Sequence, residues 1–321
     1  MSATGIDPQS AAKAVAPPAP RSVSVVIPSW NTRDLLAVCL DHVFNLERPP
    51  AEVIVIDNAS ADGSADMVAE RFPAVRLQRN ARNEGFAIGC NQGIRLANEP
   101  YILLLNADTE MAQDALEVLV RFLDANPEYG AAAPRLVHPG GGTQRACQAF
   151  PNLLTPLFFA TPFERWFPNS PELVRYFERG FDHEHERDIN QPPAACFLVR
   201  RSALDAVGLF DESLWLFFND VDLSRRLVAA GWRTRFLPQT VVAHHVGAST
   251  RQFGSFVPEW HKNRLAYYRK HHGRGAGMWV KLCVLFAWSD FCVQQLAKRI
   301  RGRPAEPLGP ITRHLVRYLG S

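Results

Sequence analysis

The stretch that most limits what this chain can become is 101–109, YILLLNADT, where Ile102, Leu103, Leu104 and Leu105 run straight into Asn106-Ala107-Asp108. Aliphatic residues without polar alternation suit a strand covered on both faces, the habit of parallel sheets flanked by helices. An Asp directly after such a strand stands at the carboxyl edge of the sheet, where open α/β sheets bind their ligands. Its carboxylate, with the Asn106 amide two residues earlier, offers hard oxygen ligands to a divalent cation bridging a diphosphate. The competing reading is that Asn106 and Asp108 only form a turn and cap the next helix, whose apolar pattern runs over 112–123.

The preceding hundred residues repeat the pattern. Val23, Val25, Val26 and Ile27 make a strand halted by Pro28, and Ser29-Trp30-Asn31-Thr32 leads into a helix with Asn31 or Thr32 as its cap and Leu36, Cys39, Leu40 and Val43 among its apolar positions. A second strand, 52–56, ends in Asp57-Asn58-Ala59-Ser60 ahead of a helix over 65–72. A third, 75–78, passes through Asn80 and Asn83 to a helix over 84–97. Strands alternating with helices at this spacing predict an α/β fold with a doubly wound, mostly parallel sheet. The polar clusters at 28–31, 57–60, 80–83 and 106–108 then share one edge and form one crevice. Gly85, Gly89 and Gly93 fall four apart on one stripe of the third helix, a smooth face better explained by close packing than by a ligand.

Beyond 134 the pattern loosens. The charged run 182–188, DHEHERD, reads as a solvated loop or lid over a substrate, and His183 and His185, two apart, do not share a helix face for metal ligation. A short strand at 196–199 precedes a helix opened by Arg200-Arg201-Ser202. Next comes 208–226, GLFDESLWLFFNDVDLSRR, in which Trp215, Leu216, Phe217 and Phe218 lead into Asn219-Asp220-Val221-Asp222. Both acids could be caps on the helix dipole. The aromatic wall points further: it would desolvate Asp220 and raise its proton affinity toward that of a general base, while Asp222 reaches Arg225 or Arg226. A last strand, 241–245, ends in His244 and His245, either ordinary buried residues or a nitrogen ligand for a cation at Asp108.

Composition removes other classes. A net charge of +3 is too small to argue for nucleic acid. The six cysteines form no CxxC pair and read as reduced core residues of a cytosolic protein. No GxGxxG with a ribose-binding acid and no Gly-rich Lys loop is present, which argues against a dehydrogenase and a P-loop enzyme. Residues 1–21, rich in Ala and Pro, read as a disordered tail rather than a signal peptide. Residues 262–321 hold twelve Lys or Arg against two acids, a balance of +10 that leaves −7 for the rest. Within them 278–296 is apolar but interrupted, and its longest clean run falls short of the ~20 residues a bilayer needs. With Trp279, Trp288, Lys298, Arg299, Arg301 and Arg303 it suits an in-plane helix on an anionic membrane surface; the other reading is a helix docked on the domain or on a second copy in a homodimer.

Taken in order, Val26-Ile27-Pro28-Ser29-Trp30-Asn31, Val55-Ile56-Asp57-Asn58-Ala59-Ser60 with Asp62-Gly63-Ser64, Asn83-Glu84-Gly85-Phe86-Ala87 with Asn91, Leu104-Leu105-Asn106-Ala107-Asp108, the 208–226 stretch, and His244 with Gly247 and Ser249 resemble glycosyltransferase family 2, in particular its bacterial rhamnosyltransferase-type branch. The resemblance spans about 22–250 and implies the GT-A fold, Rossmann-like, with a C-terminal helical extension. It divides the chain into a catalytic domain at 22–272, whose nucleotide-binding half ends at 134, and a basic segment at 273–321. It implies that Pro28, Ser29, Asn31, Asp57 and Asn58 hold the nucleoside, that Asn83, Asn106 and Ala107 line the ribose and diphosphate, and that Asp108 and His244 hold Mg2+ or Mn2+. Asp220 is then the base, with Trp215 and Asn219 on the acceptor side. The sequence departs in two places: Asn106 replaces one carboxylate of the usual Asp-x-Asp, and Asn219 stands where Glu often precedes the base. The implied activity is inverting transfer from a nucleotide-diphosphate sugar, such as dTDP-rhamnose, to a cell-envelope glycan or lipid-linked acceptor at the inner face of the membrane. The processive branch's Gln-x-x-Arg-Trp element is absent. A different class, an inactive nucleotide-sugar-binding partner subunit, is disfavoured because Asp108 and Asp220 are both present.

Overall fold

The computed structural model describes residues 22–247 and 256–320; the expectations for 1–21 and for Ser249 lie outside the described residues. The first half alternates as the sequence requires: β1 (Val23–Ser29), α1 (Arg33–Phe44), β2 (Glu52–Asp57), α2 (Ser64–Arg71), β3 (Arg76–Arg79), α3 (Phe86–Leu96) and β4 (Tyr101–Leu105). Pro28 does not halt β1, which keeps register with β2 through Pro28↔Ile56 and Ser29↔Asp57. Neither Asn31 nor Thr32 caps α1 with its side chain; Asn31 Oδ1 instead accepts from Ala61 N at 2.8 Å.

After β4 the chain makes β5 (Thr109–Met111), α4 (Ala115–Ala125) and β6 (Tyr129–Val137), then the short helices α5 (Thr155–Phe158), α6 (Pro162–Trp166) and α7 (Pro171–Tyr176). It returns through β7 (Arg187–Asp188), β8 (Cys196–Arg200), α8 (Arg201–Val207), α9 (Asn219–Ala229) and β9 (Arg233–His244) to α10 (Phe256–Ile300) and α11 (Leu308–Gly320). One sheet has the order β3-β2-β1-β4-β8-β6-β9-β5, with β7 added on β9. Six strands run in one direction; β5, β7 and β8 oppose them. The 134/135 line between the halves falls inside β6.

Both faces of the sheet are covered, which is why β4 needs no polar alternation: Leu103 and Leu105 join the core beneath α1 and α4, and Ile102 and Leu104 the core beneath α3, α8 and α9. Each such side chain contributes about 1.5–3 kcal/mol on burial. The α3 glycine stripe is a packing device toward β1, since a Cβ on Gly93 would lie 2.2 Å from Val26 Cγ1. Asp182, Glu184, His185 and Glu186 of the 182–188 run are exposed, as expected of a solvated loop, but the run is anchored at two places. His183 is buried and stacks on Phe181 at 4.0 Å, and Asp188 and Glu186 are bound by Arg233 and Arg235 of β9.

Helix α10 bends at Gly273, whose φ of 84° breaks the helical path, so two straight segments meet there. The helix packs on α5 and α11, Phe286 of its second segment meets Phe163 of α6, and Val221 of α9 shares one cluster with Tyr267, Val280, Val284 and Leu315. By length and composition alone this helix is long and apolar enough to cross a membrane, contrary to the estimate from its longest clean apolar run. Its inward face is nevertheless docked on the domain, as one of the two readings of 278–296 expects.

Candidate active site

The polar clusters do converge at the carboxyl ends of β1, β2 and β4. Ser29 Oγ meets Thr32 Oγ1 at 3.0 Å, and Asn31 N donates to Ser60 Oγ at 2.9 Å, drawing the loops after β1 and β2 together. Asp57 is 3% exposed; one carboxylate oxygen accepts from Ser60 N, and the other has no hydrogen-bond partner. Asn58 donates to Gly85 O and accepts from Asn80, while Asn83 Oδ1 accepts from Gly85 N at 2.9 Å. These bonds tie the third cluster to the second. Buried polar atoms are paired in the great majority of cases, so the orphan Asp57 oxygen leaves one hydrogen-bonding position at the edge of the sheet unfilled.

A second orphan lies two strands away, beyond β1. Asn106 N donates to Ala195 O at 2.9 Å, and its buried Oδ1 is unpaired. Ala107 is buried, and Asp108 does not cap a helix: β5 follows at once and pairs Thr109 with His244 of β9. This register places His244 Nε2 3.4 Å from Asp108 Oδ1 and 3.4 Å from Asn106 Nδ2. His245 points elsewhere, to Glu110 at 2.7 Å, so His244 is the imidazole at this edge.

The His244 tautomer follows from Gln144. Its amide nitrogen donates to Val137 O and His244 O, which turns its oxygen toward His244 Nδ1 at 3.2 Å. Nδ1 therefore carries the hydrogen, and Nε2 accepts from Asn106 Nδ2 while also lying against the Asp108 carboxylate. Two acceptors facing each other are accommodated by a cation between them or by a proton on Nε2. One carboxylate, one imidazole with its other nitrogen already engaged and a neighbouring amide oxygen form a donor set that fits a divalent ion whose remaining ligands come from a diphosphate. Among the described residues no cluster of three or more His, Cys, Asp or Glu could hold a metal alone, consistent with Asn106 replacing a carboxylate.

Across Ala194 and Ala195 from this edge lies the start of α9. The Ala194 and Val221 backbone N–H groups donate to Asp220, and the Val221 bond is 2.8 Å. Asp220 keeps part of its surface open, yet the protein packed around it raises its proton affinity above the ordinary carboxylate range, against the opposing pull of those two N–H groups and its own. Asp222, two residues on, is fully buried and behaves oppositely. Burial pushes it up, but His271 and Lys270 at 2.7 Å and Arg226 at 2.9 Å outweigh that and hold it at about 2. The partner is thus Arg226, while Arg225 turns to Tyr267 and His272.

Trp215 links the halves. Its carbonyl accepts from Phe86 N and Ala87 N, and its indole lies so close over Gly85 that a Cβ there would be 2.2 Å from Nε1. Only glycine fits, at φ 94°. Asn219 does not face an acceptor: it is 2% exposed and donates to Leu214 O, closing the loop behind it. Sequence reasoning missed Gln144, Lys270, His271 and Asn263. Fully buried Asn263 accepts from both Leu216 N (3.0 Å) and Phe217 N (2.9 Å), bracing the turn in which Phe218 takes a left-handed φ of 62° just before Asp220. Nothing in the local pattern of a helical Lys-Asn-Arg distinguishes that asparagine from a surface one.

A family model described as Glycosyl transferase family 2 matches residues 24–208. An N-acetylglucosaminyl-diphospho-decaprenol L-rhamnosyltransferase from Mycobacterium tuberculosis is 29% identical over 242 residues, covering 72% of this chain and 77% of that one. The O-antigen biosynthesis protein RfbC of Myxococcus xanthus is 30% identical over 245 residues, covering 74% of this chain and 18% of its own length. Among solved structures, a mannosyltransferase from Pyrobaculum calidifontis in complex with GDP-Man and Mn2+ superposes with a TM-score of 0.56 at 19% identity, over 94% of this chain and 86% of that chain.

Proposed function

Because the chain belongs to glycosyl transferase family 2 and is a glycosyltransferase, we propose that it moves a sugar from a nucleotide-diphosphate donor to an acceptor hydroxyl by one inverting displacement, without processivity. The observation that carries this reading is the opposition across Ala194–Ala195 of Asp108 with His244 on one side and the proton-hungry Asp220 on the other. The unpaired oxygen of Asp57 takes a donor hydrogen from the nucleoside, and a carboxylate suits a base N–H.

Asp108 and His244, with Asn106 beside them, would hold Mg2+ or Mn2+; when bound, the ion supplies positive charge for the leaving diphosphate. Gln144 keeps the His244 lone pair aimed at that place. Asp220 accepts the acceptor hydroxyl's proton, and its raised proton affinity makes it a stronger base than an ordinary aspartate. Asn263 is a positioning residue that fixes the turn presenting Asp220. The likeness to the mycobacterial rhamnosyltransferase favours rhamnose as the sugar and a lipid-linked acceptor; dTDP-rhamnose as the donor and a meeting place at the inner face of the cell membrane are further parts of this proposal.

The test is a panel of nucleotide sugars scored by nucleotide release, with and without chelator, followed by NMR of the product's anomeric centre. Release from no donor, or a product retaining the donor's configuration, would overturn the proposal.

A further inference from the structure

Beyond Gly273, helix α10 has two faces with different surroundings. Inward, Val280, Cys283 and Val284 are buried, Lys281 Nζ donates to Leu319 O at 2.8 Å, and Asp290 is held by Arg165 at 3.1 Å. Outward, Met278, Leu282, Leu285, Val293, Leu296 and Ile300 stand between 39% and 78% exposed. At about 100° per residue their spacing keeps all six within an arc of roughly 80°, a strip along the segment interrupted by exposed Ser289. Exposed Leu153 adjoins it through the Trp279 Nε1 bond to its carbonyl, and exposed Trp166 through its ring 6.3 Å from Phe286. Scattered apolar residues are ordinary on a protein surface; a strip fed by three separate segments is not.

The charge around the strip selects its occupant. Lys298, Arg299, Arg301 and Arg303 follow at its end, and of the two acids in 262–321 one is Asp290, already neutralised by Arg165. A second copy would bring one +10 segment against another, whereas an anionic leaflet attracts both. A bilayer-spanning helix would need apolar residues around its whole circumference, and this one keeps Lys281 and Asp290 bonded on its inward side. We propose that this outward face lies in the headgroup layer of an anionic membrane, parallel to its plane. The inference rests on the reading of a lipid-linked acceptor and adds its geometry: the first α10 segment supplies Lys270 and His271 to Asp222, so the helix that touches lipid is continuous with the one that braces the catalytic turn.

The full chain is floated with phosphatidylcholine vesicles with and without phosphatidylglycerol, beside a Leu282→Glu/Leu296→Glu variant. Both leucines are exposed, so the fold is unaffected. Wild type should float with the anionic vesicles, and the variant's partitioning should fall roughly tenfold or more for each leucine replaced. Donor hydrolysis and mass on a sizing column should match between the two. Equal flotation of both proteins overturns the proposal. So does a wild-type dimer that the variant splits into monomers without loss of vesicle binding, or membrane-bound protein that resists alkaline carbonate, which would mark a spanning helix. If wild type floats as expected and neither protein releases nucleotide from any donor, the glycosyl-transfer reading falls while the lipid-facing surface stands.

Discussion

Replacing Asp222 with asparagine keeps the side chain's shape and removes one buried charge, which makes it the sharpest test of how the turn presenting Asp220 is braced. The carboxyl is held at about 2 against an ordinary 3.8. At about 1.36 kcal/mol per unit, that difference corresponds to roughly 2.5 kcal/mol of stability at neutral pH. Removing the anion also leaves Arg226, Lys270 and His271 facing one another, and breaking a buried pair from one side typically costs about 3–5 kcal/mol. Lys270 is 36% exposed, so solvent screens its share, and we expect a loss of about 3 kcal/mol. The sign with pH follows from the depressed value. The contribution is complete above the unfolded pKa near 4, falls to roughly half by pH 3 and is gone once pH drops below about 2. Urea unfolding of both proteins at pH 7 and pH 3 measures this directly, and turnover per folded molecule should be retained. A variant as stable as wild type at pH 7 whose turnover fell about 100-fold would refute the bracing role and assign Asp222 to the chemistry.

Asp220→Asn should cut transfer by about 100- to 10,000-fold with nucleotide affinity unchanged; because burial disfavours the Asp220 charge, the variant should unfold in urea no earlier than wild type. For the same reason the acidic limb of the wild-type kcat/KM profile should lie above the ordinary aspartate value of about 4, and a limb at or below it would count against Asp220 as the base. Gln144→Ala frees the His244 ring and should raise the metal concentration for half-maximal activity by about 10- to 100-fold, with kcat at saturating metal nearly restored. Asn263→Ala leaves two buried N–H groups unpaired, at about 1–3 kcal/mol each, and should lower kcat while the KM for the donor stays constant, as steady-state kinetics would reveal.

The first half of the fold was legible because its strands are aliphatic runs closed by polar residues, and β1, β2 and β4 need nothing from the rest of the chain to be recognised. One partner of Asp222 was legible for a related reason, since Arg226 lies one helical turn away in sequence, whereas Lys270 and His271, 48 and 49 residues on, left no local sign. The second half was obscure where strand identity comes from neighbours. Residues 129–137 carry Gly130, three alanines and Pro134, poor strand formers that β6 tolerates between β8 and β9. Three-residue β5 is too short to show a period, and its existence decides that Asp108 meets His244 rather than capping a helix. Asn263 and Gln144 act only across distances no local pattern spans, 46 residues to Phe217 and 100 to His244.

The insertion of β8 between β4 and β6 also bears on how the protein is made. Until Cys196–Arg200 leaves the ribosome, β4 has one edge without its final partner, and its aliphatic side chains lack Phe197 and Leu198 against them. Roughly 90 residues must be added after Leu105 before that edge closes, which at 5–20 residues per second is on the order of ten seconds. During this interval the nascent chain presents an apolar, pairing-competent strand beside a polar edge that is already half built. Ribosome pauses or rare codons between 106 and 196 would lengthen the exposure, and a chaperone that shields open strand edges would have its greatest effect on yield there.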